Sequence, residues 1–230
     1  MTIAIMGAMP EEIEPILKKV GDYTTIEYAK NKYYQATYKE TKLIIAGSKI
    51  GKVFSALTAT TMIEHFGADI LLFSGVAGAV SPELKIGDLV VATKLVQHDL
   101  DITAFGHPYG YVPEGAVFVQ ADKKMIDISK NVASQMGKMV FEGIIATGDQ
   151  FIADEKKKDW IAKTFQADAL EMEGASVAVV CDALDVPFFI LRSISDAADM
   201  DASFSFDEFL ETSAIISAEF IMKMVDEIVS

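Results

Sequence analysis

The sequence predicts one α/β domain spanning residues 1–230, with a mixed, largely parallel central sheet flanked by helices. Short apolar runs typical of buried strands alternate along the chain with longer segments of helical periodicity. No linker, internal repeat or low-complexity tract divides the 230 residues, of which 51% are hydrophobic. A chain of this length and composition is long enough to bury a substantial core.

The N-terminal elements are predicted by apolar periodicity and by residues that favour helix starts. Residues 2–6 form an apolar run ending at Gly7, and residues 10–20 follow with helical spacing. Pro10 suits a first helical turn because its missing N–H is not needed there, and the acidic side chains of Glu11 and Glu12 complement the positive end of the helix. Residues 33–38 and 43–46 predict a hairpin, and residues 52–66 a helix.

The remaining elements alternate in the same way. A strand over residues 69–74 is expected to end in a small-residue turn at 75–79, where a ligand approaches the backbone closely. The aromatic segment 97–113 is too long for a plain connector and is expected to be functional or interfacial. The other predicted elements are a strand from 87, a helix at 122–136, strands at 140–147 and 186–191, and helices at 154–165, 173–181 and 206–229.

Composition excludes several classes of function. The chain carries 34 acidic and 20 basic residues, a net charge of −14, which argues against binding to nucleic acid or to an anionic membrane surface. Cys181 is the only cysteine, so a disulfide framework is excluded. Three histidines without repeated ligand spacing predict no metal site. With neither a signal peptide nor an apolar segment long enough to span a bilayer, a cytoplasmic location is expected.

Two carboxylates stand one residue apart where a short strand meets an apolar helix, at Glu171 and Glu173. One interpretation is charge complementarity at a helix start, worth about 0.3–1 kcal/mol. The other is a ligand site, because the carboxyl ends of strands in α/β proteins open onto the ligand crevice. Glu12 and Asp196 occupy comparable positions at a helix start and a strand end. Arg192 needs an acid partner, and Glu171 or Glu173 is the nearest candidate by topology.

This set of side chains suits the hydrolysis of an N-glycosidic bond. The transition state resembles an oxocarbenium ion, which carboxylates stabilise, while one acid activates water and another protonates the leaving base. Two acids in different environments can take these opposite roles. The spacing alone fits many enzymes that act on sugars or phosphates, so it leaves the reaction open.

A resemblance to a known family narrows this choice. The sequence resembles the bacterial 5′-methylthioadenosine/S-adenosylhomocysteine nucleosidases in order over essentially its whole length. The segments that carry the resemblance are MGAMPEE at 6–12, SKIGK at 48–52, SGVAG at 74–78, DITAFG at 101–106, GDQFI at 148–152, EME at 171–173, SD at 195–196 and SFDEF at 205–209.

The resemblance implies the nucleoside phosphorylase/hydrolase fold, a homodimer, and release of adenine from methylthioadenosine or S-adenosylhomocysteine without cofactor or metal. It also implies that Glu12 activates the water and that Asp196, positioned by Ser195, protonates the purine. Glu173 and the Met172 backbone would hold the ribose hydroxyls, and Arg192 would orient these ribose-binding groups.

The resemblance assigns further residues to substrate binding. The 5′ group would contact residues of this subunit and of a partner subunit, adenine would stack on an aromatic ring, and the central glycine-rich segment would approach the sugar or base. These residues are Met9, Ile50, Phe206, Phe151, Ile152, Val76, Ala77, Gly78 and Glu171, with Ile102, Phe105 and Pro113 from the partner subunit. Many relatives carry serine at the position of Val76, which offers no hydroxyl here.

Three alternatives stay open at this point. A purine nucleoside phosphorylase of the same fold would need basic residues around phosphate, whereas the first turn offers Glu11 and Glu12 with no basic residue before Lys18. A related hydrolase would act on futalosine-type nucleosides or 5′-deoxyadenosine. A non-catalytic nucleoside-binding module is disfavoured by the presence of both Glu12 and Asp196.

Overall fold

The computed structural model describes residues 1–198 and 202–230, and for residues 202–208 it describes the helical backbone alone. The strands are β1 (Thr2–Gly7), β2 (Tyr23–Tyr28), β3 (Asn31–Tyr38), β4 (Thr41–Gly47), β5 (Ile70–Ala79), β6 (Leu89–Gln97), β7 (Val119–Gln120), β8 (Val140–Thr147), β9 (Ala169–Glu171) and β10 (Phe188–Asp196). The helices are α1 (Pro10–Val20), α2 (Lys52–Thr60), α3 (Lys123–Gln135), α4 (Glu155–Phe165), α5 (Gly174–Ala183) and α6 (Ala202–Val229).

All of these strands belong to one mixed sheet. Strands β2, β3, β4, β1 and β5 follow one another across it, with β1 parallel to both β4 and β5. Beyond β5 the sheet closes on itself, because β5 pairs with both β10 and β9, and β6 and β8 connect those two strands. The result is a five-stranded ring, β5–β10–β6–β8–β9, with an open four-stranded wing that ends at β2.

The helices cover both faces of the sheet. One apolar cluster lies beneath α2 and α5 and includes Phe73, Ile190 and Val177. A second lies beneath α1, α3 and α6 and includes Phe189, whose ring stacks on Phe220 with 6.3 Å between centroids. The predicted α/β class with one central mixed sheet is confirmed by this arrangement. In the wing, β1 pairs in parallel with β4, and β4–β3 and β3–β2 are antiparallel hairpins, while the ring contains both parallel and antiparallel pairs.

The expected turn at residues 75–79 is wrong. Strand β5 continues to Ala79, because Gly75 to Gly78 pair with Arg192 to Asp196 of β10. Small residues at these positions permit an extended strand that other side chains approach closely, which is the same property that the turn prediction used. The ligand-facing backbone is therefore a strand.

Two further segments differ from the sequence prediction. Strand β2 is absent from the predicted elements; it is a solvent-exposed edge strand and lacks the apolar alternation that signals a buried one. The predicted helix at 52–66 is α2 followed by a π-helical turn at Thr61–His65. The long segment 97–113 contains a short 3₁₀ turn at Thr103–Phe105, and 81% of Phe105 is exposed.

Candidate active site

One cleft lies where the carboxyl ends of several strands meet. Glu12 lies in the first turn of α1, directly after β1, while Glu171 ends β9 and Asp196 ends β10. The Val76–Gly78 part of β5 forms the wall between them. Ligands of α/β proteins bind at such strand ends, and the topology explains why acids distant in sequence lie together.

Most of the predicted site residues line this cleft. They are Met9, Glu12, Ile50, Val76, Ala77, Gly78, Phe151, Ile152, Glu171, Met172, Glu173, Ser195 and Asp196. The sequence analysis missed Ala8, Gln150, Leu170 and Ala198, which also line it. Each of these four lies within two residues of a predicted residue in the chain. Among the described residues that line the cleft, the charged side chains are all carboxylates, without a lysine or arginine.

Glu12 is buried and held by backbone N–H groups. Ala8 and Met9 donate to its Oε2 at 2.6 and 3.1 Å, and Val76 donates to its Oε1 at 3.1 Å. Burial raises the pKa of Glu12 above its ordinary value, while the charge of Arg192 and these hydrogen bonds oppose the rise. A carboxylate whose pKa is raised towards neutrality is a better proton acceptor than a solvated one.

Asp196 is fixed by its own neighbours. The Ser195 hydroxyl donates to its Oδ2 at 2.9 Å, and the Ala198 N–H donates to its Oδ1 at 2.8 Å. Both Ser195 and Asp196 are buried. The predicted pairing of these two residues is therefore present in the geometry, and the carboxyl group has a defined orientation at the edge of the cleft.

Glu12 and Asp196 lie against different glycines of β5. A Cβ atom at Gly75 would lie 2.9 Å from Glu12 Oε1, and one at Gly78 would lie 2.7 Å from Asp196 Oδ1. Only glycine permits both approaches. The two carboxyl groups thus approach β5 at positions three residues apart, which is about 10 Å of extended strand, and can act on different atoms of one ligand.

Glu173 is the most perturbed acid of the site. Burial, and then the charge of Glu171, raise the pKa of Glu173 to about 8. Its Oε1 accepts a hydrogen bond of 2.9 Å from the Gly51 N–H. At neutral pH the carboxyl group is thus mostly protonated, so it can donate one hydrogen bond and accept others.

Glu171 and Arg192 form a buried ion pair behind the cleft. Arg192 donates through Nη2 and Nε to Glu171 Oε2 at 2.6 and 3.2 Å, and their side chains are 1% and 2% exposed. The Gly174 N–H also donates to Oε2 at 2.7 Å, and the Thr147 hydroxyl donates to Oε1. The carboxylate of Glu171, which also lines the cleft, therefore joins Arg192 of β10 to the start of α5.

Arg192 is confirmed as the partner of a junction acid, but it does not line the cleft. Its guanidinium lies 4.1 Å from the centre of the Phe73 ring, a cation–π contact that stabilises a desolvated cation. A Cβ atom at Gly75 would lie 3.3 Å from its Nη1 and 2.9 Å from Glu12 Oε1. Arg192 thus supports both Glu12 and Glu171 from beneath the cleft.

The loop that carries Phe151 is anchored at a cluster that the sequence analysis did not predict. Lys52 Nζ lies 2.6 Å from Asp99 Oδ1, the Asp149 N–H donates to Asp99 Oδ2 at 2.9 Å, and the Lys52 N–H donates to Asp149 Oδ1 at 2.8 Å. Burial alone would raise the pKa of Asp99, but the hydrogen bonds from Lys52 and Asp149 outweigh it and hold that pKa below its ordinary value. No local motif signals this cluster, because its members are about 50 residues apart.

Some predicted residues lie elsewhere. Ile102, Phe105 and Pro113 are on the 97–113 segment and do not line the cleft of their own chain. Phe105 and Pro113 are exposed, and Ile102 is half-buried. The side chain of Phe206 lies outside the described residues.

Comparisons with known proteins agree over nearly the whole chain. The sequence model of the Phosphorylase superfamily matches residues 2–230. The chain is 58% identical to the aminodeoxyfutalosine nucleosidase of Campylobacter jejuni over 228 residues, which are 99% of this chain and 100% of that one. It is 37% identical to the 5′-methylthioadenosine/S-adenosylhomocysteine nucleosidase of Anoxybacillus flavithermus, over 99% of each chain.

The chain belongs to the phosphorylase superfamily, as one of its nucleosidases.

A solved structure gives the same result for the fold. A Helicobacter pylori methylthioadenosine/S-adenosylhomocysteine nucleosidase mutant, with 5′-methylthioadenosine in its active site, superposes with a TM-score of 0.97 at 49% identity and covers 98% of each chain. The predicted family, fold and enzyme class are confirmed: this nucleosidase is an N-ribosyl hydrolase that cleaves an N-glycosidic bond.

Two features of the described residues bear on other functions. No helix among them is long and apolar enough to cross a membrane. Within the same residues, no group of three or more histidine, cysteine or acidic side chains is arranged to hold a metal ion. The cytoplasmic location and the homodimer stay predictions.

The buried ion pair gives a first testable prediction. Arg192→Met removes the partner of a buried carboxylate and should lower the free energy of unfolding by about 3–5 kcal/mol. The double variant Arg192→Met/Glu171→Gln leaves no uncompensated charge and should recover part of that loss. Urea denaturation at pH 7 measures both, and a double variant no more stable than Arg192→Met would contradict the ion-pair interpretation.

The perturbed pKa of Glu173 gives a second prediction. Because its pKa is raised from 4.5 to about 8 on folding, wild-type stability should fall as pH rises between these values. In Glu173→Gln this part of the decline disappears, so the variant should gain stability relative to wild type by a few kcal/mol from pH 5 to pH 8.5. Urea midpoints across this range test it, with the exposed Glu64→Gln as control for net charge. If the stability of both variants changed equally with pH, burial of Glu173 would not be the cause of the decline.

Proposed function

We propose that this nucleosidase releases adenine from adenosines that carry a substituent on the 5′ carbon, namely aminodeoxyfutalosine, 5′-methylthioadenosine and S-adenosylhomocysteine. The observation that carries the proposal is the cleft in which buried carboxyl groups meet and no lysine or arginine is found among the described lining residues. Such a cleft repels phosphate and favours a neutral nucleoside and water.

The names of the relatives support this range of substrates. The relative that is 58% identical is named for aminodeoxyfutalosine. A different relative, which is 37% identical, is named for methylthioadenosine and S-adenosylhomocysteine. The sequence analysis favoured the latter pair and kept futalosine-type substrates as an alternative. We now place aminodeoxyfutalosine beside them, because the more similar relative bears its name. The 5′-deoxyadenosine molecule would fit the same cleft as a truncated substrate.

In the proposed reaction, Glu12 accepts a proton from water as the water oxygen bonds to the anomeric carbon. The electron pair of the breaking C–N bond moves into the purine, and Asp196 delivers a proton to a ring nitrogen, so neutral adenine leaves. Glu12 and Asp196 approach β5 at Gly75 and Gly78, three residues apart, so each carboxyl group can act at its own end of the ribosyl–purine unit. Ser195 keeps Asp196 in place.

Substrate binding follows from the remaining contacts. Glu173 and the Met172 backbone would hold the ribose hydroxyls, and Phe151, which is 51% exposed, would stack on adenine beside the Ile152 backbone. Met9 and Ile50 would contact the 5′ substituent. Phe206 is proposed to join them on the strength of the family resemblance alone.

We also propose a homodimer in which the 97–113 segment completes the neighbouring cleft. Phe105 projects from the chain with 81% of its surface exposed, and α2 presents the exposed apolar residues Val53, Phe54 and Leu57. Apolar side chains exposed in this number are typical of a protein interface. Ile102 and Pro113 would enter the partner cleft with Phe105.

The reaction is tested by adenine release from methylthioadenosine in phosphate-free buffer. We expect release by the wild type without any dependence on added phosphate, and a kcat about 10²- to 10⁴-fold lower in Glu12→Gln, because general base catalysis contributes that much. Glu11→Gln is the matched control; the exposed neighbour should keep kcat within about twofold of wild type. Release only in the presence of phosphate would overturn the proposal.

The shared cleft is tested by complementation between two impaired variants. Glu12→Gln and Phe105→Ala each damage a different half of the proposed site, so their heterodimer contains one intact site. Random assembly of the co-expressed variants makes half of the dimers mixed, so the preparation should regain about a quarter of wild-type activity. If activity does not rise above that of the separate variants, or if Phe105→Ala alone is fully active, each cleft is built from a single chain.

A further inference from the structure

A second cavity adjoins the catalytic cleft. Its volume is about 680 Å³, and it shares Ala8, Met9 and Ile50 with the cleft. Its other walls come from the start of α1 and from the hairpin of β2 and β3. Met9 and Ile50 therefore lie at the boundary between the cleft and this cavity.

The cavity differs from the cleft in its charge. Lys30, Lys32 and Lys49 line it, against the single acid Glu27, in a chain whose net charge is −14. Among the described residues, none of these three ammonium groups lies within 4.0 Å of a carboxylate. We call this region the lysine cavity. Its unpaired positive charges favour an anionic occupant.

The lysines are held in place by the fold. Lys32 belongs to β3, where it lies opposite Glu27 of β2, and Lys30 lies in the turn between these strands. Lys49 Nζ donates to the Lys30 carbonyl oxygen at 3.4 Å and lies 4.8 Å from the centre of the Phe54 ring. Lys49 is thus engaged, which leaves Lys30 and Lys32 as the available cations.

The rest of the lining is suited to a carbon chain or an aromatic ring. Ile13 and Pro10 from α1 face the cavity together with Tyr34 of β3. A ligand that passes Met9 therefore meets apolar surface first and cations beside it. This combination fits an extended substituent whose far end carries a carboxylate.

The order of groups along the cleft indicates which end of a substrate would enter. Asp196 and Phe151 mark the purine end in the proposed function, Glu12 lies at the sugar, and Met9 and Ile50 lie at the opposite end. The 5′ substituent is the part of the nucleoside that would leave the cleft at Met9 and Ile50. A methylthio group is short and would stop there, whereas a longer substituent would continue.

We propose that the lysine cavity binds the distal carboxylate of a long 5′ substituent, with Lys32 and Lys30 as specificity-determining residues. The proposal rests on the proposed function, since it assumes an adenosine substituted at the 5′ position. It assigns the chemical class of the preferred substrate: a 5′ chain that ends in an acid rather than in a neutral group.

The charge preference is expected to be moderate, because Lys30 and Lys32 are solvent-exposed. Exposed ion pairs are weakened by water and by salt. The lysines should therefore change kcat/KM for an acidic substrate by several-fold rather than by orders of magnitude. The effect should shrink as ionic strength rises.

The test uses a matched pair of substrates, a 5′-carboxyalkylthioadenosine and its methyl ester, which differ in charge but little in length. In the wild type we expect a higher kcat/KM for the acid. In Lys32→Glu the acid-to-ester ratio of kcat/KM should fall about tenfold at low salt, and in Lys32→Gln by about threefold. In 0.5 M NaCl these differences should largely disappear.

Lys138→Glu is the control, since it makes the same change in net charge at an exposed residue that does not line either cavity. Its acid-to-ester ratio should equal that of wild type. An unchanged ratio in Lys32→Glu, or an equal fall in Lys138→Glu, would overturn the proposal. Methylthioadenosine distinguishes a failure of the lysine-cavity proposal from a failure of the proposed function. If the wild type hydrolyses neither methylthioadenosine nor either test substrate, the proposed function itself is wrong.

Discussion

The ion pair between Arg192 and Glu171 is the interaction on which the rest of the site depends. It joins β10 to the end of β9, and Glu171 in turn accepts hydrogen bonds from the first N–H groups of α5. A buried ion pair is stable only when the remaining donors and acceptors of both side chains also have hydrogen-bond partners. Here backbone groups around the pair provide such partners. The strand–helix junction that presents Glu173 is therefore fixed from beneath.

The Arg192–Glu171 ion pair lies beneath several acids that are buried close together. Arg192 lowers the pKa values of both Glu12 and Glu173, yet burial outweighs it in each case. The acids consequently differ in protonation although all are carboxyl groups. Glu171 is the partner of the cation, Glu173 is mostly protonated at neutral pH, and Glu12 is a base of raised pKa. Environment rather than residue type separates their roles.

The sequence predicted the parts of the structure that leave a local signal. Apolar runs located β1, β8 and β10, and the acidic junction at Glu171 and Glu173 indicated the cleft. The resemblance to a known family identified most of its lining. Long-range features were not predictable. The extension of β5 depends on pairing with β10, the Lys52–Asp99 contact joins separate loops, and edge strand β2 is too exposed to show alternation.

The division of the sheet into a closed ring and an open wing separates two kinds of evolutionary change. Asp196, Glu171 and the glycines of β5 belong to the ring, where each strand is held on both sides, so most substitutions there disturb several neighbours at once. The β2–β3 hairpin lies at the end of the sheet and, among the described strands, pairs only with β4. Mutations in that hairpin can therefore accumulate with little effect on bond cleavage, which gives a lineage a way to acquire a new nucleoside while keeping its catalytic apparatus.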